Sequence, residues 1–80
     1  MSETEKRIIS LLYEIRPYES INTQTRLLEE GILDSMAILA FITLMEDEYD
    51  MEVPDDSITR ANFETVGAIV SLLSNCVKEK

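Results

Sequence analysis

The sequence contains no histidine and only one cysteine in 80 residues. Without histidine the chain lacks the most common general base near neutral pH, the usual hydrolase triads and most zinc and haem sites. Its lone cysteine, Cys76, can form neither an internal disulfide nor a cysteine metal cluster, and this favours a reducing, intracellular compartment. We therefore expect a cytoplasmic protein without hydrolase activity of its own.

Basic residues are also scarce. Seven Lys and Arg stand against 16 Asp and Glu, giving a formal net charge of −9 at pH 7. Such a surface repels phosphate backbones, which excludes nucleic acid as a partner. No apolar run approaches the roughly 18 residues that span a bilayer, and the first residues are polar. We therefore expect a soluble chain with no transmembrane segment and no export signal.

Length and composition limit the organisation of the chain. Eighty residues suit a single domain spanning residues 1–80, and we expect it to be a monomer. With 45% hydrophobic residues, two Gly and two Pro, the chain has enough apolar content to fold. A domain this small buries only about 60 to 65% of its unfolded surface, so a large substrate cavity is not expected.

The spacing of apolar residues predicts an all-α fold, a small four-helix bundle of three longer helices and one short helix. Between Glu3 and Arg16 these residues recur at intervals of three and four, and Pro17 ends this first helix. From Arg16 to Asp34 the periodicity lapses, which predicts a long ordered loop with a turn at Gly31. Four of its apolar side chains are expected to pack on the core: Leu27, Leu28, Ile32 and Leu33.

A second helix is expected to begin at Asp34 or Ser35, since either can cap its first turn, and to end near Asp50. This arrangement leaves Met36 and Leu39 on its outward side. Its core-facing residues are predicted to be Ile38, Phe41, Ile42, Met45 and Tyr49.

The chain after the second helix is broken by Pro54. Residues 55–57 offer caps for a short helical turn at about residues 58–61, and Asn62 or Thr65 is expected to open a last helix. The core-facing side of this last helix is predicted to comprise Val66, Ile69, Val70, Leu73 and Val77.

Acidic residues concentrate around the second helix. Ten acids and no Lys or Arg occur from Glu29 to Asp56. Two interpretations stay open: a face that keeps the protein soluble, or a docking surface for basic partners. The outward apolar residues Met36 and Leu39 favour docking, because apolar side chains framed by one sign of charge suit transient recognition. The acids at the end of the helix are Glu46, Asp47 and Glu48.

The acidic run from Asp47 to Glu52 does not have the spacing of a calcium-binding loop. Counted from Asp47, it lacks a glycine at the sixth position, and Ile58 occupies the twelfth position in place of a glutamate. The sequence therefore predicts no dedicated metal site here.

Ser35 is the remaining candidate for chemistry. By itself, an Asp-Ser pair before an amphipathic helix is typical of a helix cap. The run Leu28-Glu29-Glu30-Gly31-Ile32-Leu33-Asp34-Ser35-Met36, however, resembles the modification site of acyl and peptidyl carrier proteins. In that site a glycine is followed three residues later by Asp-Ser and then by a large apolar residue.

The resemblance covers nearly the whole chain. Residues 45–55 are similar to the acidic helix end, the aromatic core residue and the apolar-Pro-acid turn of that family. Residues 62–69 are similar to its entry into the last helix. Each motif is short, but their order and spacing together are specific.

The resemblance implies that the Ser35 hydroxyl is joined through a phosphodiester to 4′-phosphopantetheine, whose thiol carries an acyl or aminoacyl thioester. An exposed serine at a helix start suits a phosphate, because the free N–H groups and the dipole favour negative charge there. A phosphopantetheinyl transferase takes the arm from coenzyme A and supplies both the base and a magnesium ion. Asp34 either helps that transferase to bind or serves only as a cap. The chain would then be a carrier and not an enzyme.

The resemblance also implies partner enzymes that load the cargo and transfer it, in lipid or natural product biosynthesis. Members that serve fatty acid synthesis carry acids on the exposed face early in the second helix, where this chain has Ala37 and Ala40. The motif around Ser35 is closer to D-alanyl carriers and specialised free-standing carriers. The alternative is an unmodified acidic helical adaptor for a basic protein, which predicts the same bundle and the same acidic face. Modification of Ser35 distinguishes the two.

Overall fold

Four α-helices and one 3₁₀ helix are present in residues 2–76, the part of the chain that the computed structural model describes. The elements are α1 (Glu3–Ile15), α2 (Ser35–Tyr49), a 3₁₀ helix (Asp55–Ser57), α3 (Arg60–Phe63) and α4 (Val66–Cys76). No strand occurs in residues 2–76. The predicted all-α fold, with three longer helices and one short one, is confirmed.

Helix α1 is fixed at its first turn by a reciprocal cap. The Ser2 hydroxyl accepts a hydrogen bond of 3.1 Å from the Glu5 amide, and the Glu5 carboxylate accepts one of 2.8 Å from the Ser2 amide. Such a capping box satisfies two amides that the helix itself cannot pair. The helix ends at Ile15, one residue earlier than predicted, because Arg16 leaves helical geometry and caps it. Its core side is formed by Ile8, Leu11 and Leu12, which are buried, and Ile15, which is half-buried.

Helix α2 begins at Ser35 with Asp34 as its N-cap, so one of the two predicted starts is confirmed. It ends at Tyr49, and Asp50 caps it in the left-handed conformation at a φ of 51°. Three of its predicted core residues are buried, namely Phe41, Ile42 and Met45, while Ile38 and Tyr49 are half-buried.

The segment between α2 and α4 differs from the prediction. Residues 55–57 form a 3₁₀ helix themselves and do not cap the next turn. Helix α3 is capped instead by Thr59, whose hydroxyl accepts a hydrogen bond of 3.3 Å from the Asn62 amide. Asn62 therefore lies inside α3 and cannot open the last helix.

Helix α4 is opened by Thr65, the second of the two predicted caps. Its hydroxyl accepts a hydrogen bond of 3.1 Å from the Ala68 amide. The buried residues of α4 are Val66, Ile69, Leu72 and Leu73, while Val70 is half-buried. Leu72 was not predicted, and the predicted core residue Val77 lies outside the described residues.

The loop that joins α1 to α2 is packed on the bundle, as its apolar residues predict. Leu27, Ile32 and Leu33 are buried and Leu28 is half-buried. Backbone bonds anchor it, because the Leu27 amide donates to the Glu64 carbonyl at 2.8 Å and the Leu33 amide donates to the Leu27 carbonyl at 3.0 Å. The chain therefore enters α2 from a fixed position.

The helices enclose one hydrophobic core. Helix α1 packs against α2 and α4, and α3 packs on α4. Phe41 of α2 and Phe63 of α3 are its largest buried side chains, and burying each contributes about 1.5–3 kcal/mol. None of the helices within residues 2–76 has the length and apolar content needed to cross a membrane.

Candidate functional site

Ser35 lies exposed at the first position of α2. The capping role belongs to its neighbour, because the Asp34 carboxylate accepts a hydrogen bond of 2.8 Å from the Ala37 amide through Oδ1. The Ser35 hydroxyl makes no hydrogen bond to any group in residues 2–76. A serine that is free of a structural bond and placed at a helix start is available for covalent modification.

Arg16, at the end of α1, holds the segment that precedes Ser35. Its Nε donates a hydrogen bond of 3.0 Å to the Ile32 carbonyl oxygen, and its Nη2 lies 3.5 Å from Asp34 Oδ2. Sequence reasoning did not identify Arg16, because its contacts are 16 and 18 residues away in the chain and follow no helical spacing.

The pKa of Asp34 is lowered from its ordinary value of 3.8. The main cause is the hydrogen bond from the Ala37 amide, partial desolvation opposes it, and the positive charge of Arg16 adds to the lowering. Asp34 is therefore ionised at neutral pH. The site carries a fixed negative charge directly before Ser35.

A surface cleft of about 400 Å³ opens beside Ser35. It lies where α2, the start of α3 and the loop before α2 meet. Its lining consists of Leu28, Leu33, Asp34, Ser35, Ile38, Ile58, Thr59 and Arg60. The cleft is an open surface groove, which is compatible with the expectation that so short a chain forms no large substrate cavity. Its lining comes from two segments of the chain, residues 28–38 and 58–60, so no local pattern in the sequence predicts it.

The predicted outward residues of α2 lie close to Ser35. Met36 is 82% exposed and Leu39 is 62% exposed. Ala40 is also exposed, but Ala37 is half-buried against the core. Part of Ala37 remains accessible, so its predicted role in partner binding stays a prediction.

The three acids at the end of α2 have different surroundings. Asp47 is exposed, as predicted for a docking surface. Glu46 instead accepts a hydrogen bond of 2.9 Å from the Val53 amide, which fixes the chain after α2. Glu48 Oε2 lies 3.2 Å from Arg7 Nε of α1. Only Asp47 of these three is thus without a structural contact in the described part of the chain.

The surroundings of Glu48 also affect Tyr49. The pKa of Tyr49 is raised above its ordinary value of 10.0, mainly by burial and also by the negative charge of Glu48, while Arg7 opposes the rise. Tyr49 is therefore neutral throughout the physiological range and serves as a core residue.

The sequence pattern of a family described as "Phosphopantetheine attachment site" matches residues 6–73. The chain is 29% identical over 76 residues to D-alanyl carrier protein 1 of Lactiplantibacillus plantarum, covering 94% of this chain and 95% of that protein. It is 31% identical over 70 residues to the D-alanyl carrier protein of Listeria welshimeri, covering 85% of this chain and 90% of that protein. The solution NMR structure of a holo acyl carrier protein from Nitrosomonas europaea matches with a TM-score of 0.79 at 26% identity, covering 92% of this chain and 95% of that one.

Proposed function

This chain belongs to the phosphopantetheine-attachment family of carrier proteins, and from that premise we propose that Ser35 is the attachment residue. The chain is a carrier that holds an acyl or aminoacyl group as a thioester on a covalent 4′-phosphopantetheine arm, and it is not an enzyme. The carrier function and the cofactor predicted from the sequence are confirmed by this membership.

One observation carries the assignment to Ser35: its hydroxyl is exposed at the N-terminus of α2 and is not used as a cap. The N-terminal turn of a helix favours the negative charge of a phosphodiester through its N–H groups and dipole. The adjacent cleft leaves room for the first atoms of an arm. These residues therefore fit the group that the family carries.

We propose that the transferase supplies the chemistry while this chain presents the hydroxyl. Within the described residues, no group near Ser35 is placed to act as its general base, since Asp34 Oδ1 is bonded to the Ala37 amide and Oδ2 faces Arg16. Asp34 instead orients the first turn of α2 and offers an ionised carboxylate to the transferase. Its contribution is recognition and positioning.

Intact mass after co-expression with a broad-specificity phosphopantetheinyl transferase tests the assignment. The wild-type chain should gain one phosphopantetheinyl group, and Ser35→Ala should not. Because Asp34 provides the cap, Ser35→Ala should cost only a few tenths of a kcal/mol and leave the helical circular dichroism unchanged. Ser20→Ala, at an exposed loop position, is the matched control and should be modified like the wild type.

A mass gain that persists in Ser35→Ala contradicts the assignment. A wild-type chain that is never modified favours the alternative, an unmodified acidic adaptor for a basic protein. The two outcomes are distinguishable, because the first shows that the arm is attached at another residue and the second shows that no arm is attached.

We propose that the loading and transfer enzymes dock on the exposed side of α2 beside Ser35. Met36 and Leu39 supply apolar surface there, and exposed Asp47 supplies negative charge at the far end of the helix. A partner enzyme whose binding site has an apolar patch flanked by basic residues would be complementary to this surface. Glu46 and Glu48 contribute less, because each already has a contact within the fold.

We propose a specialised cargo, of the aminoacyl type named for the D-alanyl relatives, in place of fatty acid synthesis. Support comes from those relatives and from exposed Ala40, at a position where the fatty acid members carry acids. Ala40→Glu should slow aminoacyl loading by a D-alanine-activating enzyme, since a charge enters an apolar contact. Unchanged loading contradicts a specificity role for Ala40.

We also propose that the protein is located in the cytoplasm, as the sequence predicts.

A further inference from the structure

The cleft beside Ser35 contains one cation, Arg60, at the start of α3. The other arginines of the described residues are each within 4 Å of a carboxylate: Arg7 of Glu48, Arg16 of Asp34, and Arg26 of Glu29. Arg60 has no such ion-pair partner in residues 2–76. The exposed guanidinium of Arg60 is therefore free to bind an anion, and it lines the same cleft as Ser35.

The backbone that carries Arg60 is fixed on both sides. The Thr59 hydroxyl caps α3, and Asn62 Nδ2 donates a hydrogen bond of 2.7 Å to the Ser57 carbonyl. The Thr59 amide donates one of 3.0 Å to the same Ser57 carbonyl. This turn therefore holds the backbone of Arg60 at the edge of the cleft, to whose lining α2 contributes Ser35 and Ile38.

Modification of Ser35 adds a second negative charge at the start of α2, where the helix N-terminus favours an anion but one carboxylate is already present. The phosphodiester is attached directly beside ionised Asp34. Arg16 cannot neutralise it without giving up its bonds to the Ile32 carbonyl and Asp34. A guanidinium offers paired N–H donors that match phosphate oxygens, and such charge-assisted bonds are stronger than neutral ones.

We infer that Arg60 binds the phosphodiester of the arm once Ser35 is modified, and so sets the direction in which the arm leaves α2. This inference rests on the proposed attachment at Ser35. Arg60 is a positioning residue: it directs the arm along the cleft, whose apolar wall is formed by Leu28, Leu33, Ile38 and Ile58. No acyl cargo is needed for the contact.

An anion on the cargo is the other group that a guanidinium could bind in this cleft. The phosphodiester and a cargo carboxylate both offer anionic oxygens to a guanidinium, but they occur in different forms of the protein. The phosphodiester is present in every holo chain, whereas a carboxylate is present only when a cargo such as malonyl is loaded. A comparison of apo, holo and malonyl-loaded chains therefore separates them.

The test follows the Nε–H signals of the arginines by ¹⁵N NMR in the full chain, after intact mass has shown the state of Ser35. On conversion from apo to holo, the Arg60 signal should move and the Arg26 signal should not, because Arg26 is paired with Glu29 outside this cleft. In Arg60→Gln, the ³¹P signal of the holo arm should move from its wild-type position. In Arg26→Gln it should stay there.

Thermal unfolding gives a second readout that does not depend on the spectra. The holo protein should have a higher Tm than the apo protein, and this difference should fall to about half or less in Arg60→Gln, while Arg60→Lys should restore part of it. Arg26→Gln should keep the wild-type difference between holo and apo protein.

Three outcomes overturn the inference. An Arg60 signal that is the same in apo and holo protein shows that the guanidinium does not bind the phosphodiester. A signal that moves only in the malonyl-loaded chain assigns Arg60 to the cargo instead. Absence of any mass gain removes the attachment at Ser35, and with it both the proposed function and this inference, whereas the first two outcomes leave the proposed function intact.

Discussion

Arg16 Nε donates a hydrogen bond of 3.0 Å to the carbonyl oxygen of Ile32, which lies three residues before Ser35. The contact joins the end of α1 to the segment that positions the candidate attachment site. Its acceptor is partly buried, so loss of the donor leaves a carbonyl without a partner.

The first prediction concerns this bond. Arg16→Met keeps the aliphatic stem and removes the donors, and it should lower the free energy of unfolding by about 1–2 kcal/mol. Urea denaturation at pH 7 measures the loss. Arg26→Met is the matched control: its pair with Glu29 is exposed, so it should cost no more than about 0.5 kcal/mol. Equal losses in the two variants would show that the Ile32 contact has no special weight.

The second prediction concerns the charge of Asp34. Its pKa in the folded protein lies below the ordinary 3.8, because the ionised carboxylate accepts a hydrogen bond from the Ala37 amide and lies beside the positive charge of Arg16. A lowered carboxyl pKa stabilises the fold above the unfolded-state pKa, and the effect is lost as pH falls through the folded-state pKa. The stability difference between wild type and Asp34→Asn should therefore be full above about pH 5 and should shrink as the pH falls from there through the folded-state pKa of Asp34.

Asp34→Asn suits this test because asparagine caps helices about as well as aspartate, so only the charge changes. Urea unfolding midpoints of the two proteins across that pH range measure the difference. A difference that stays constant from neutral to acid pH would mean that capping geometry, and not ionisation, gives Asp34 its role.

The third prediction concerns Asp50, which caps the end of α2 in the left-handed region at a φ of 51°. Non-glycine residues pay about 1 kcal/mol for this conformation, and a negative charge at a helix C-terminus is also unfavourable. Asp50→Gly should stabilise the protein by about 0.5–1 kcal/mol in thermal or urea unfolding. Asp50→Asn removes the charge while keeping a side chain, so the gap between the two variants isolates the backbone. No gain in either variant would contradict this account.

Much of the fold was predictable because helical spacing encodes which face of each helix is buried. The periodic apolar residues of α1 and α2 identified their core sides, and the Asp34-Ser35 pair located the start of α2. Gly31 has the positive φ, 76°, that the predicted turn requires. These features depend on residues that are neighbours in the sequence.

The rest of the site depends on contacts between distant segments. Arg16 and Arg60 reach the Ser35 region from the end of α1 and the start of α3, and no spacing in the sequence indicates either approach. The partial burial of Ala37 was not predicted, because it depends on how α2 is turned against its neighbours. Glu46 was assigned to partners alone, since its bond to the Val53 amide requires the fold to be known.

The last prediction separates the apolar and charged parts of the proposed docking surface on α2. Leu39 is 62% exposed, so Leu39→Ala should leave stability nearly unchanged. If a partner enzyme buries this side chain, kcat/KM for modification or loading should fall about fivefold, and the loss should be the same at low and high salt. Buried apolar contacts are not screened by ions.

Asp47→Lys should behave differently in the same assay. An exposed charge mainly accelerates the encounter with a basic patch, so the loss in kcat/KM should be large at about 10 mM salt and small at about 0.5 M. Glu14→Lys on α1 is the matched control, because it changes the net charge equally at an exposed position on another helix. If Glu14→Lys slows loading as much as Asp47→Lys, net charge alone explains the effect. The acidic end of α2 would then have no specific role in docking, although the apolar contact through Leu39 would be unaffected by that result.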